Sequence, residues 1–333
     1  IDSHGGKLRD QLLAYSQILQ LVARRHFRSE LGLQMQSTLS EALPSFLQLE
    51  KILKGYDRRG NFLGLFFTDA FMLSDFFLVR SFLKWKNTYV VKMEEWMDIV
   101  SELDAAVSMA DFRYNHPEAT DAEIVDGSPV FFEAKNLYHP FLGAKAVKND
   151  FTIQDDNYYI ITGANMAGKS TFLRSLGVNY ILAMSGMPVF AGSLKVSRFQ
   201  LFSSMRTTDD LTHGISYFNA ELLRLEQLMQ FCKRGELRTL IILDEILKGT
   251  NSLDKLNGSR LFLESISRMP VTGVIATHDL ELSRMAESSP GRFHNYCFEI
   301  DLGTDVTYTY KIQPGVARNQ NATFLLNKIL ERN

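Results

Sequence analysis

The sequence predicts an α/β domain, a mixed sheet flanked by helices, preceded by an all-α helical domain. Three observations predict it. An apolar run at 158–162 feeds a glycine-rich loop and then a helical stretch. Two further apolar runs, 239–243 and 271–277, each end in polar residues able to do chemistry. Before about residue 111 the apolar residues recur at helical three–four spacing instead.

The helical part comes first. Leu8, Leu12, Tyr15, Leu19 and Val22 mark one stripe, and residues 45–54 continue the theme after Pro44, with Gly55 as a stop. Residues 90–110 repeat it through Trp96, Val100, Leu103 and Val107. Residues 61–85 are rich in phenylalanine, but Asp69, Asp75 and Arg80 break the run, so core or dimer-contact helices are expected rather than a membrane segment. Arg24, Arg25 and Arg28 form a small basic cluster that reads best as a solvated helix face. Residues 1–110 are therefore taken as one domain, the polar stretch 111–126 as a linker, and 127–333 as the second domain.

Residues 163–171 read Gly163, Ala164, Asn165, Met166, Ala167, Gly168, Lys169, Ser170, Thr171, the pattern G-x-x-x-x-G-K-[ST] of a phosphate-binding loop. Glycines let the backbone curl so that successive N–H groups face a polyphosphate. Lys169 brings a point charge to the β- and γ-phosphates, and the Ser170 hydroxyl can ligate Mg²⁺. A short match can arise by chance; the buried strand before it and the helix to about Met184 after it supply the context the motif needs. The fold class is thus an α/β P-loop NTPase, with a nucleoside triphosphate and Mg²⁺ as expected ligands.

Downstream, Ser216 precedes an amphipathic helix with Phe218, Leu222, Leu225, Leu228 and Met229 on one stripe. A serine there is first of all an N-cap. The run 239–243 ends in Asp244 and Glu245, acids that would emerge where ligands bind an open sheet. Asp244 can hold the Mg²⁺ shell and Glu245 can polarise an attacking water. A solvated acidic turn is the plain alternative, made weaker by the loop upstream. The third run ends at Thr277, followed by His278, placed to contact a γ-phosphate. The tail 306–312 alternates as a strand, and 322–330 reads as a final amphipathic helix.

Taken together these segments resemble the ATPase domain of the MutS family, a DNA mismatch repair branch of the ABC-type ATPases. Residues 163–171 are similar to that family's G-P-N-M-G-G-K-S-T, with Asn165 and Met166 as the distinguishing letters. Asp209, Asp210 and Leu211, then residues 214–221, resemble D-D-L and G-x-S-T-F-M-x-E; residues 244–251 resemble D-E-I-x-R-G-T-S; residues 276–278 match A-T-H. Tyr217, Lys248 and the stretch from Asp254 to Gly258 depart from the pattern, and Ala146 falls near the usual adenine-stacking aromatic, so a divergent branch is implied. The resemblance further implies Glu245 and His278 as catalytic residues and Ser216 as a signature residue acting in trans. It places Asn251 and Asp254 in a turn at the dimer interface. The partner would be a second copy of the chain, and DNA in the full-length protein.

Composition adds bounds. The chain has 333 residues, 45% of them hydrophobic, and a net charge of −2, which offers no overall basic footprint for DNA. Cys232 and Cys297 make neither a disulfide framework nor a metal site, and suit a reduced, cytoplasmic setting. No signal-peptide pattern opens the chain, and without an initial Met a piece of a longer protein is expected. The leading expectation is an Mg-ATP hydrolase module coupled to DNA. An ATP-dependent dimerisation switch for a protein or branched DNA stands beside it. Another ABC-type ATPase, for chromosome maintenance or transport, is weakened by the lack of an L-S-G-G-Q signature.

Overall fold

The computed structural model describes residues 2–57, 74–127, 129–205, 217–234, 237–302 and 306–318. The chain divides into two compact units, 1–112 and 113–333.

Every described element of the first unit is a helix: α1 (Asp2–Arg24), α2 (Glu30–Leu39), α3 (Ala42–Asp57) and α4 (Ser74–Asn115), whose last residues belong to the second unit. The three–four stripes converge on a small core of Leu19, Val22, Leu39, Ala42, Phe46, Trp96 and Val100. The indole of Trp85 donates to the Ser45 carbonyl at 3.0 Å and is buried, so its polar edge is satisfied away from water. Two expectations are corrected. Gly55 does not stop α3, which runs to Asp57; a glycine inside a helix costs only about 1 kcal/mol and does not by itself end it. Of the core and dimer-contact alternatives for residues 61–85, the core one does not hold for Phe76 and Phe77, which are 60% and 56% exposed. The remainder of that aromatic run, 58–73, lies outside the described residues.

The described residues of the second unit form two sheets. One has the order β1 (Glu123–Val125), β5 (Ser193–Ser197), β2 (Phe131–Leu137), β3 (Asn149–Gln154). Part of the stretch read as a linker is therefore strand, with β1 pairing parallel to β5. Three residues with no clear alternation carry too little pattern to be read from sequence.

The larger sheet has the order β10 (Val306–Pro314), β9 (Phe293–Leu302), β4 (Tyr158–Gly163), β8 (Val271–Thr277), β7 (Thr239–Asp244), β6 (Gln200–Ser204). All neighbours are parallel except the β10–β9 hairpin, so the sheet is mixed. Strands β4, β7 and β8 are buried at every position, as unbroken apolar runs demand when both faces are covered. One face packs against α5 (Lys169–Met184) and the smaller sheet through Ile161, Leu173, Leu176, Val196 and Ile242. The other packs against α6 (Tyr217–Arg234) and α7 (Ser252–Ile266) through Ile160, Leu228, Ile241 and Leu263. The stripe on α6 falls where expected at Phe218, Leu225, Leu228 and Met229, which join this core, and departs from the expectation at one position. Glu221 and Leu228 are buried, whereas Leu222 is 42% exposed. Residues 322–330, expected to form a last helix, lie outside the described residues.

Candidate functional site

The register of the larger sheet brings three strand ends together. Thr162 on β4 pairs with Thr277 on β8, and Asp244 on β7 pairs with Ala276 on β8. Gly163, His278 and Glu245 therefore follow on three adjacent strands at the C-terminal edge of the sheet. The Glu245 amide donates to the Ala276 carbonyl at 2.9 Å, which fixes the start of the loop after β7. In open α/β sheets this edge is where ligands bind.

Two glycines make the loop after β4 possible. Gly163 has φ +155°, and a β-carbon there would sit 2.9 Å from the Phe298 carbonyl oxygen. Gly168 has φ +109° and caps α5, with Tyr310 close enough that a β-carbon would stand 3.1 Å from its ring. Between them Met166 also adopts φ +66°, a conformation that costs a non-glycine residue roughly 1–3 kcal/mol. The loop curls around the Lys169 ammonium, which donates to the carbonyls of Gly163 at 2.7 Å and Ala164 at 2.9 Å. Burial lowers the Lys169 pKa to about 8, against the pull of Glu245 and Asp244.

His278 sits between this lysine and the acid. Its Nε2 lies 3.0 Å from Glu245 Oε1, and its Nδ1 lies 3.3 Å from Lys169 Nζ and 3.0 Å from the Gly163 carbonyl. A carboxylate can only accept, so Nε2 carries a proton; Nδ1 accepts from Lys169 when it is bare and donates to the Gly163 carbonyl when it is protonated. Glu245 is itself held at φ +65°, and its second oxygen, Oε2, lies 3.3 Å from Lys255 Nζ on α7. Burial opposes its ionisation, but the His278 hydrogen bond and the charges of His278, Lys255 and Lys248 outweigh it, holding the carboxyl down at about 2. Asp244 is buried at the end of β7. Ser170 lies one residue into α5, half-buried.

A cavity of about 710 Å³ opens over the loop. Asn165, Met166, Ala167, Gly168, Lys169, Ser170 and Thr171 form one side, with His278 beside them. Tyr138, His139, Val147, Asn149 and Tyr310 enclose the rest. Ala146 caps the short 3₁₀ turn Pro140–Lys145 next to this wall. The volume is that of a small-molecule site.

The other expected site residues are placed differently. Asn251 and Asp254 do not form a turn. Asn251 is the N-cap of α7, its side chain accepting from the Asp254 amide at 3.0 Å, and Asp254 lies in the first helical turn. The helix forms there because an asparagine cap and an early acid both favour a start. Ser216, with residues 206–215, lies outside the described residues.

Three neighbours of the site escaped the sequence reading. Lys255 reaches Glu245 only because α7 folds back along the loop. Glu221 accepts from the Gly249 amide at 3.1 Å, tying α6 to the same loop. Tyr310 stands on a strand whose register shifts between Tyr308 and Ile312, so a local irregularity and φ +53° set its direction. The alternating Tyr308 and Tyr310 were the one available signal.

Among the described residues no group of three His, Cys, Asp or Glu gathers as a metal cage. Mg²⁺ needs no such cage, since it takes one or two protein oxygens and fills its shell with water and phosphate oxygens.

The profile of MutS domain V matches residues 159–324. A DNA mismatch repair protein MutS of Azorhizobium caulinodans is 31% identical over 246 residues, 68% of this chain and 25% of the relative. The DNA mismatch repair protein MSH2 of Zea mays is 30% identical over 258 residues, 69% of this chain and 26% of the relative. MutS of Staphylococcus haemolyticus is 27% identical over 241 residues, 69% and 26%. The chain thus spans about a quarter of the length of these curated relatives. The matched segment runs from β4 past β10, across the glycine loop, both acids and the histidine: the chain belongs to the MutS family.

Proposed function

We propose that the second unit binds and hydrolyses Mg-ATP, and that nucleotide controls the pairing of two such units in a DNA repair protein. The observation that carries this is the meeting of Lys169, His278 and Glu245 in one contiguous network, with Asp244 beside them, at the sheet edge below a 710 Å³ cavity. Lys169 is held by loop carbonyls that a polyphosphate's oxygens can replace, and burial makes it gain from such a partner. Ser170 and Asp244 would hold Mg²⁺, which neutralises charge on the phosphates. Glu245 takes a proton from the attacking water, and His278 steadies the carboxylate through Nε2. Ser216, from a second copy, would complete the site. DNA coupling rests on the names of the relatives alone.

The test separates binding from turnover. Lys169→Ala should lose Mg-ATP binding, whereas Glu245→Gln should bind Mg-ATP like the wild type and lose at least about 100-fold in kcat, the scale of one general base. Wild-type turnover in Glu245→Gln would remove Glu245 from the chemistry.

A further inference from the structure

The loop after β7 is clamped by one face of α7. Lys255 reaches Glu245, Gly258 faces Leu247 so closely that a β-carbon would stand 2.4 Å from its side chain, and the Ser259 hydroxyl donates to the Ile246 carbonyl at 3.2 Å. Positions 255, 258 and 259 are one helical stripe. The same helix begins at an exposed tip: Asn251, Ser252, Leu253 and Asp254 are all open to solvent. Lys255 is the first residue of α7 that turns inward, with 21% side-chain exposure against 13% for Glu245. Each Glu245 oxygen is matched to a partner. His278 holds Oε1 and the Lys255 ammonium sits against Oε2.

A carboxylate that must accept a proton from water is a weaker acceptor while a cation sits against one of its oxygens, because the cation favours the ionised form. Of the two partners, His278 belongs to the network around Lys169. Lys255 comes from outside it, on a helix whose first turn is free to meet something else. We infer that Lys255 is a positioning residue that latches Glu245 in the unpartnered chain, and that a shift of the exposed α7 tip withdraws it. The latch rests on the ATPase reading above. It makes the acid's availability depend on what touches Asn251 to Asp254, while the phosphate-binding loop stays as it is.

The test uses the full chain with Mg-ATP. Lys255→Met and the more polar Lys255→Gln should each raise basal kcat about threefold to tenfold, a change of up to about one power of ten in rate. KM for ATP should stay within about twofold, because Lys255 does not line the cavity. Lys255→Arg, which keeps the cation, should restore the low rate, and Glu245→Gln combined with Lys255→Met should show no gain. A purely structural role would move the melting temperature without this dependence on Glu245. Equal or lower kcat in both uncharged variants, with normal ATP binding by equilibrium dialysis, overturns the latch and leaves the ATPase reading standing. No ATP binding by any form, wild type included, overturns both.

Discussion

At the scale of single residues, Lys169 controls how the site meets its ligand. Its ammonium is buried between two loop carbonyls and the His278 Nδ1, and that burial makes the free protein give up the proton at about 8 rather than the usual 10.5. A bound polyphosphate favours the charged form and lifts that value again. Below about 8 the lysine is charged in both states, and this group leaves affinity unchanged with pH. Above about 8 the free site must take up a proton to bind, so affinity falls as pH rises, by about tenfold per unit until the bound form titrates. Calorimetry of Mg-ATP binding at pH 9 in buffers of different ionisation enthalpy should show proton uptake on binding, and little at pH 7. Equal affinity at both pH values would mean that Lys169 does not face the phosphates. The residues around it were legible to different degrees. Gly163 and Gly168 announce themselves because left-handed backbone and close approach admit almost nothing else. Lys255 does not, because its partner is set by the path of a helix and not by spacing along the chain.

Elements follow the same division. Strands β4, β7 and β8 could be read directly, since a strand buried on both faces must be apolar throughout. Helix α5 could be read from the loop that starts it. The smaller sheet could not: its strands are short and pair across long stretches of chain, with β2 shifting register between Ala134 and Leu137. Nor could the inward turn of Glu221 on α6, whose carboxylate accepts from the Gly249 amide. Tight contact between β8 and β4 gives an element-scale prediction. A β-carbon at Gly273 would stand 2.6 Å from Tyr158 Cδ1. That ring is fully buried, stacks on Phe293 and donates from its hydroxyl to the Ile266 carbonyl, so it has nowhere to go. Gly273→Ala should cost about 1–3 kcal/mol by overpacking. Denaturant melts followed by circular dichroism would measure it, and an unchanged midpoint would show that the ring can yield.

For the whole molecule, the question is what the second unit does with a neighbour. Large apolar side chains stand exposed close to the site: Phe141 at 93%, Met166 at 77% and Leu253 at 68%. Met166 belongs to the glycine loop itself, Phe141 to the 3₁₀ turn beside the cavity wall, and Leu253 to the α7 tip. Isolated exposed hydrophobics are ordinary, but apolar residues at the rim of a ligand site are suited to burial when a second surface closes over it. Closure by a second copy would also bring another Ser216 to the site, as the family resemblance implies. A ligand that binds the paired state better shifts the balance toward it, and slow turnover lengthens that state. Mg-ATP should therefore move Glu245→Gln from monomer toward dimer in sedimentation velocity, with Mg-ADP leaving it monomeric. Leu253→Glu, outside the cavity, should bind Mg-ATP normally yet weaken the dimer at least about tenfold, because a charge buried at an interface without a partner costs more than the 1.4 kcal/mol that this factor represents. If Glu245→Gln stays monomeric with saturating Mg-ATP at the highest soluble concentration, pairing is not driven by this chain alone. If Leu253→Glu dimerises as readily as its parent, the contact lies elsewhere than the α7 tip, and the release of Lys255 must have another trigger.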